Sequence, residues 1–230
     1  HGFRGIADAG EQITDEKDSQ TQLPIYSLHG KNRKPLPEQL KEIELMIFDL
    51  QDVGVRFFTY LSTLHYVMEA CAEKKIPLII LDRPNPNIHY VDGPVLNLEN
   101  SSFLGMHAVP IVYGMTIGEY AKMINGEGWL SNGVSCDIKV IPIQNYTHKT
   151  AYELPIRPSP NLPNAKAISL YPSLCLLEPT VISIGRGTDH QFQIYGHPNF
   201  PESNFKFTPF PNFGSKEPKW NSNLCFGVSL

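Results

Sequence analysis

The 230-residue chain is 41% hydrophobic and 18% charged, and its formal net charge is −4. This composition excludes a disordered or fibrous protein, because enough apolar residues are present to bury a sizeable core. The balance of 19 basic and 23 acidic residues predicts no nucleic-acid surface, and the apolar runs are far shorter than the roughly 20 residues of a membrane span.

The first part of the chain has the alternating pattern of an α/β domain. Apolar runs at 45–50 and 77–82 predict two strands that are buried on both faces. Between them, apolar residues recur every three or four positions from Tyr60 to Cys71, which predicts a crossover helix. Strand, helix and strand together form the βαβ unit of a parallel sheet.

Shorter patterns predict the remaining elements of this part. Thr116 and Glu119 have the spacing of a capping box that opens a helix reaching about Asn125. The other predicted elements are a strand at 25–28, a short helix at 37–43, a third strand of the sheet at 109–113 and a fourth at 137–143.

A proline cluster separates this part from the rest. Four prolines lie between positions 155 and 163, and they are incompatible with a regular helix or sheet. We therefore predict a Rossmann-like α/β domain at 1–163 and a smaller α+β domain at 164–230. In the second domain, 172–178 is predicted as a short helix and 191–196 as a strand, whereas 200–213 shows no clear period.

Polar residues gather where the predicted strands end. Asp49, Gln51, Asp52 and Arg56 follow the first strand, and the run from Asp82 through Arg83 to Asn85 follows the second. One interpretation is structural, in which each aspartate caps a turn and each arginine pairs with a carboxylate. The other is a site for an anionic or polyhydroxylated ligand, since ligands of open parallel sheets bind at the carboxyl ends of the strands.

Common cofactor and metal signatures are absent from the sequence. It contains no G-x-G-x-x-G, Walker or G-x-S-x-G motif, and its histidines lack metal-binding spacing. We therefore expect no cofactor and no metal. The four cysteines are far apart and are expected to be free thiols.

Short motifs that occur in order resemble one known family. His-Gly-Phe-Arg-Gly lies at 1–5, Asp-Leu-Gln-Asp-Val-Gly-Val-Arg at 49–56 and Leu-Asp-Arg-Pro-Asn-Pro at 81–86. Asp-Gly-Pro at 92–94, Gly-Met-Thr-Ile-Gly-Glu at 114–119, Pro-Ser-Pro-Asn-Leu-Pro at 158–163 and Gly-Arg-Gly-Thr at 185–188 extend the similarity. Over almost its whole length, the chain resembles the NamZ-type exo-β-N-acetylmuramidases, which were long described as a domain of unknown function.

The resemblance implies a glycoside hydrolase that removes N-acetylmuramic acid from the non-reducing end of peptidoglycan fragments, in the periplasm or after secretion. It also implies two domains with a cleft between them. In the family, a glutamate regarded as the main catalytic carboxylate precedes the His-Gly-x-Arg-Gly motif, whereas this chain starts at His1. We therefore expect the chain to be a piece of a longer protein and to be weakly active alone.

The resemblance also suggests a role for each polar residue of these motifs. Asp52 is expected to be the second carboxylate, kept ionised by Arg56, while His1 and Arg4 adjust the proton affinity of the missing glutamate or position the sugar. Arginines suit the lactyl carboxylate of the substrate. The expected substrate-binding residues, some shared with these roles, are Arg4, Gln51, Arg56, Tyr60, Arg83, Asn85, Ser159, Asn161, Glu178 and Arg186.

The sequence leaves the mechanism and two other functions open. Retaining, inverting and substrate-assisted cleavage are all compatible with these residues. The chain is alternatively a module of the same fold that binds muramyl sugars without cutting them. Without the resemblance, a hydrolase or transferase for another anionic small molecule fits the same residues.

Overall fold

The structure, a computed structural model, describes residues 13–30 and 32–230. Its described residues form two compact units, one ending at Tyr152 and the other running from Glu153 to Leu230. The domain boundary after residue 163 remains a prediction. No helix in the described part of the chain combines the length and apolar character needed to cross a membrane.

The first unit contains a parallel sheet with flanking helices, as predicted. The elements of this unit are β1 (Glu16–Lys17), β2 (Pro24–Ile25), β3 (Met46–Phe48), α1 (Tyr60–Lys74), β4 (Leu78–Leu81), α2 (Ile117–Gly126) and β5 (Ile138–Ile141). Strands β3, β4 and β5 lie in that spatial order, and both pairs of neighbours are parallel. Helix α1 connects β3 to β4, and α2 lies between β4 and β5 in the chain.

The crossover helix α1 buries the face that its apolar period predicted. Leu64, Met68 and Cys71 are fully buried in the same core as Leu78 and Ile80 of β4. Burial of each such large side chain contributes about 1.5–3 kcal/mol. The helix ends at Lys74, and the left-handed backbone conformation of Lys75 turns the chain towards β4.

The second helix begins with the predicted capping box. The Thr116 hydroxyl accepts a hydrogen bond from the Glu119 N–H, and the Glu119 carboxylate accepts one from the Thr116 N–H. Asp82, which directly follows β4, accepts hydrogen bonds from the Thr116 hydroxyl at 2.7 Å and the Gly118 N–H at 2.9 Å. Asp82 therefore attaches the start of α2 to the carboxyl end of the sheet.

The strand predicted at 109–113 is wrong. Val112 forms only isolated bridges to Val55 and Asp92, in the loops that follow β3 and β4. Pro110 has no N–H to give to a ladder, and β5 takes the position beside β4 instead. The segment therefore lies across the loops at the end of the sheet.

Two short predictions near the N-terminus also need correction. Residues 37–43 form turns, with hydrogen bonds from Gln39 to Leu36 and from Ile43 to Leu40, because so short a segment does not offset the cost of starting a helix. The strand expected at 25–28 is limited to β2, which pairs with β1.

The second unit combines a helix with an antiparallel sheet, which agrees with the predicted α+β class. Its elements are α3 (Ala165–Leu174), a 3₁₀ turn (Cys175–Leu177), β6 (Ile194–His197), β7 (Lys206–Phe207) and β8 (Cys225–Ser229). Strand β8 is central, with the order β6-β8-β7. The helix starts earlier than predicted because Asn164 caps it, and β8 was not predicted at all.

Candidate functional site

Asp52 lies in the loop that follows β3 and is 4% exposed. Its Oδ2 accepts hydrogen bonds from the Gly54 N–H at 2.6 Å and from the Tyr113 hydroxyl. Gly54 has a φ of +76°, and a Cβ there would lie 2.1 Å from Asn85 Oδ1, so the turn requires glycine. Within the described residues, no donor reaches the buried Oδ1 of Asp52.

Burial controls the proton affinity of Asp52. Removal from water raises the pKa of its carboxyl from 3.8 to about 7, although the hydrogen bonds from Tyr113 and Gly54 oppose the rise. The side chain is therefore partly protonated at neutral pH. The expectation that Arg56 keeps Asp52 ionised is wrong, because burial dominates and Arg56 is not among the described groups that lower the pKa of Asp52.

Arg56 instead holds two loops together. Its Nη1 donates to the carbonyl oxygens of Pro94 at 3.0 Å and Val109 at 2.5 Å. Partial burial lowers the pKa of the guanidinium. Arg56 thus fixes the segment that leads to Tyr113, which in turn contacts Asp52.

The charge of Asp52 acts on three tyrosines. Tyr60, at the start of α1, has its pKa raised by burial and by Asp52, and the same two causes act on Tyr113 and Tyr120. The sequence analysis identified Tyr60 but missed the other two. Tyr113 ends an apolar run and Tyr120 lies on the buried face of α2, so both match ordinary core residues in the sequence.

An exposed ion pair lies at the ends of the same strands. The Arg83 Nε is 2.5 Å from Asp49 Oδ1, and the two side chains are 43% and 41% exposed. The hydrogen bond to Asp49 raises the pKa of Arg83. Within the described part of the chain, the Nη1 and Nη2 groups of Arg83 make no hydrogen bond.

Gln51 and Asn85 have structural contacts. Gln51 Nε2 donates to the carbonyl oxygens of Asp52 and Pro84, both at 2.7 Å. Asn85 is 3% exposed. Its Nδ2 donates to Met115 at 2.8 Å, and its Oδ1 accepts from the Asn87 N–H at 2.8 Å. Both amides connect the loops that surround Asp52.

In the second unit, Arg186 and Glu178 form a partly buried pair. Arg186 Nε lies 2.6 Å from Glu178 Oε1, and its guanidinium packs over the Phe192 ring at 5.1 Å. The Cys175 thiol donates to the other carboxylate oxygen of Glu178 at 3.4 Å. Arg186 and Glu178, which the sequence analysis predicted separately as substrate-binding residues, therefore pair with each other within this unit.

Ser159 and Asn161 are buried in a turn of the second unit. The Asn161 N–H donates to Ser159 Oγ at 3.2 Å, and Asn161 Nδ2 donates to the Gly214 carbonyl at 2.6 Å. The Asn161 Oδ1 is buried, and no donor in the described residues reaches it. These side chains hold the loop around Gly214.

Two predicted site residues, His1 and Arg4, lie outside the described residues. Among residues 13–30 and 32–230, no group of three His, Cys, Asp or Glu side chains has the arrangement of a metal site. All four cysteines lie in this part and are free thiols, as expected.

Comparison with known proteins identifies the family. The family model described as "Exo-beta-N-acetylmuramidase NamZ, N-terminal" matches residues 1–166, and the corresponding C-terminal model matches residues 169–230. The chain therefore belongs to the NamZ exo-β-N-acetylmuramidase family.

Individual relatives agree with this assignment. The chain is 39% identical over 250 aligned positions to the peptidoglycan β-N-acetylmuramidase NamZ of Bacillus subtilis strain 168, covering all of this chain and 58% of that protein. Crystal structures of two DUF1343 family proteins from Bacteroides fragilis NCTC 9343 are also similar. The first has a TM-score of 0.91 and 51% identity, and the match covers 100% of this chain and 61% of the crystallised chain. The second has a TM-score of 0.83 and 34% identity, and the match covers 93% of this chain and 59% of the crystallised chain. The chain thus spans about three fifths of each of these relatives.

Proposed function

We propose that the protein containing this chain is an exo-β-N-acetylmuramidase, which removes N-acetylmuramic acid from the non-reducing end of peptidoglycan fragments. The observation that carries the proposal is the match of both family models in order along the chain. The Bacillus subtilis relative is a peptidoglycan β-N-acetylmuramidase. Because peptidoglycan lies outside the cytoplasm, we also propose a periplasmic or secreted location.

Asp52 supplies the proton-binding carboxyl of the described part of the site. Glycoside cleavage requires a group that holds a proton near neutral pH and gives it to, or takes it from, a reacting oxygen. Asp52 has a pKa of about 7 as a result of burial, so both of its protonation states are populated at neutral pH. Its Oδ1, which is free of hydrogen bonds within the described residues, is the atom that exchanges this proton.

Arg83 is the best candidate for binding the lactyl carboxylate. Only its Nε is occupied within the described residues, by Asp49, so the two terminal nitrogens of the guanidinium are available for a bidentate contact with an anion. Arg56, by comparison, donates to two backbone carbonyls, and Arg186 is held by Glu178 and Phe192. These contacts favour Arg83 over the other two candidates.

The proposal is tested with two chromogenic substrates, the p-nitrophenyl β-glycosides of N-acetylmuramic acid and N-acetylglucosamine. The full-length protein encoded by the gene is assayed beside the 230-residue chain, and both are titrated with free N-acetylmuramic acid. We expect the full-length protein to hydrolyse the muramyl glycoside much faster than it hydrolyses the N-acetylglucosamine glycoside. Equal hydrolysis of the two glycosides would contradict the muramyl specificity. Binding of the sugar without hydrolysis of either glycoside would instead favour a binding module.

A further inference from the structure

A row of buried hydrogen bonds connects α1 with α2. The Nδ1 of His65, in α1, lies 2.9 Å from Nε2 of His107, and Nδ1 of His107 lies 3.0 Å from the hydroxyl of Tyr120, in α2. All three side chains are buried. His107 also stacks on Trp129, with ring centroids 4.4 Å apart, which fixes the orientation of its ring.

The row ends at an ionised carboxylate. Glu69 lies one helical turn after His65, and its Oε2 is 3.6 Å from His65 Nε2. Burial alone would raise the pKa of Glu69, but hydrogen bonds from Lys34 at 2.6 Å and from the Ser131 N–H at 2.9 Å lower it to about 2. Glu69 is therefore an acceptor at every physiological pH.

The charge of Glu69 fixes the direction of each hydrogen bond. Burial lowers the pKa of both histidines, that of His107 to about 3, so each ring is neutral and carries one N–H. The N–H of His65 faces Glu69 and is therefore on Nε2, which leaves its Nδ1 as an acceptor. His107 must then donate from Nε2 and accept at Nδ1, where the Tyr120 hydroxyl donates.

The Tyr120 end of this row lies next to the Asp52 site. The rings of Tyr120 and Tyr113 pack edge to face with centroids 5.1 Å apart, and the Tyr113 hydroxyl donates to Asp52. The charge of Asp52 raises the pKa of Tyr120, in addition to burial. The Tyr120 hydroxyl is therefore within the electrostatic range of Asp52, while its proton points towards His107.

We propose that Tyr120, His107 and His65 form a hydrogen-bond chain of fixed direction, in which the Tyr120 hydroxyl donates its proton to His107 and not towards Asp52. This arrangement favours the neutral form of the Asp52 carboxyl. A locked hydroxyl dipole cannot turn to stabilise a new negative charge, whereas a free one does. Tyr120 and His107 are thus positioning residues for the proton on the Asp52–Tyr113 pair. This inference goes beyond the proposed hydrolase activity and does not depend on it.

Other titratable groups interact electrostatically with Asp52, Tyr113 or Tyr120 and belong in the interpretation. Tyr60, at the start of α1, is influenced by Asp52, and Asp82, after β4, influences Tyr113. Arg56 acts on Tyr120 with the opposite sign to Asp52. None of these three groups is altered in the variants below, so their contribution remains constant.

The first test measures the direction of the chain in the unmodified protein. ¹⁵N NMR of the imidazole rings distinguishes the two neutral tautomers of each histidine. We expect both His65 and His107 to carry the proton on Nε2 at neutral pH, and His107, whose pKa is lowered to about 3, to remain neutral when the pH is lowered to about 5. A proton on Nδ1 of either ring, or a charged ring at neutral pH, would overturn the proposal.

The second test measures the effect on Asp52 by following its carboxyl carbon in a ¹³C NMR pH titration. In the His107→Leu variant, Tyr120 loses its acceptor and can turn towards Asp52, so we expect the pKa of Asp52 to fall by about one pH unit. The matched control is the double variant His107→Leu/Tyr120→Phe, which has no hydroxyl to turn and should not show this fall. An unchanged titration in the single variant, or the same fall in both, would contradict the proposal. If the variants do not fold, the tautomer measurement decides alone.

Discussion

Asp49 and Asp52 both follow strand β3, but their environments are opposite. Asp49 is 41% exposed and forms an ion pair with Arg83. Asp52 is 4% exposed, and its carboxylate accepts hydrogen bonds from the Tyr113 hydroxyl and the Gly54 N–H. The loop after β3 thus carries both an exposed ion pair, at Asp49, and a buried carboxyl that binds a proton near neutral pH, at Asp52.

The comparison shows that burial, and not proximity in sequence, separates the two roles. An exposed ion pair gains little free energy, about 0–1 kcal/mol, because water screens both charges. A buried carboxyl instead prefers its neutral form, because burial removes it from water, and the pKa of Asp52 is accordingly raised to about 7. A group of the second kind is suited to proton transfer, and one of the first kind to pairing with an exposed arginine.

The largest expected effect is on catalysis by the full-length protein. We expect Asp52→Asn to reduce hydrolysis of the muramyl glycoside by about 10²–10⁴-fold, because general acid–base catalysis contributes that much. The matched control is Asp49→Asn, which removes the other carboxylate at the same strand end and should affect kcat by less than about tenfold. Equal losses of kcat in the two variants would abolish the distinction between the two aspartates.

The next effect concerns the pH dependence of stability. Because burial raises the pKa of Asp52 from 3.8 to about 7, the folded protein binds this proton more tightly than the unfolded chain. The free energy of unfolding therefore falls as the pH rises from about 3.8 to about 7, by up to about 1.4 kcal/mol per pH unit for this one group. Urea unfolding of the original protein and of Asp52→Asn is measured at about pH 5 and at about pH 8. Relative to the original protein, the variant should be more stable at about pH 8 than at about pH 5. A constant difference between the two would contradict the burial argument.

The sequence was sufficient for the elements whose patterns are local. The apolar period of α1 and the Thr116 capping box predicted both helices, and continuous apolar runs predicted the parallel strands β3 and β4. The expectation that both strands are buried on both faces is wrong for β3, because Ile47 is 56% exposed. It was insufficient where pairing is non-local. Pro110 and its neighbours have the composition of a strand, yet β5 takes that place in the sheet, and β8 becomes central only through partners distant in the chain.

The candidate site shows the same limit. Asp52 was predicted from its position after β3, but its charge state depends on burial, and the Tyr113 hydroxyl that contacts it is 61 positions away in the chain. His65 and His107 lack the spacing of metal ligands, and nothing in the sequence connects them. Folding nevertheless places His65 Nδ1 2.9 Å from His107 Nε2. Their roles depend on burial and contact, which a single sequence does not specify.

Asn85 tests whether the loop amides bind substrate or hold the buried site together. Asn85→Ala removes the partners of the Met115 carbonyl and the Asn87 N–H, so we expect a loss of about 2–4 kcal/mol in the free energy of unfolding. The exposed Asn97, whose side chain caps a 3₁₀ turn, is the control, and Asn97→Ala should cost less than about 1 kcal/mol. If Asn85→Ala unfolds like the original protein but binds N-acetylmuramic acid poorly, the predicted substrate role is correct.

The Arg83→Ala variant tests whether the exposed arginine at the end of β4 binds the ligand. If its free guanidinium nitrogens hold the lactyl carboxylate, Arg83→Ala should weaken binding of N-acetylmuramic acid by roughly 2–3 kcal/mol, as expected for a lost charge-assisted hydrogen bond. N-acetylglucosamine lacks the lactyl group and serves as the control ligand. Calorimetric titration of both sugars should show the loss only for the muramyl sugar. An equal loss for both would place Arg83 elsewhere in the site.

The smallest expected effect is the contribution of the Asp49–Arg83 pair to stability. A double-mutant cycle with Asp49→Asn and Arg83→Ala isolates the interaction between the two side chains. Because both are more than two fifths exposed, we expect a coupling free energy below about 1 kcal/mol that shrinks further in about 1 M salt. Urea unfolding of the four proteins at low and high salt measures it. A coupling of several kcal/mol that resists salt would mean that this pair is structural, as the alternative interpretation of the sequence held, and that Arg83 is not available for the substrate. A small, salt-sensitive coupling leaves the arginine free to exchange Asp49 for a ligand carboxylate at little cost to the fold.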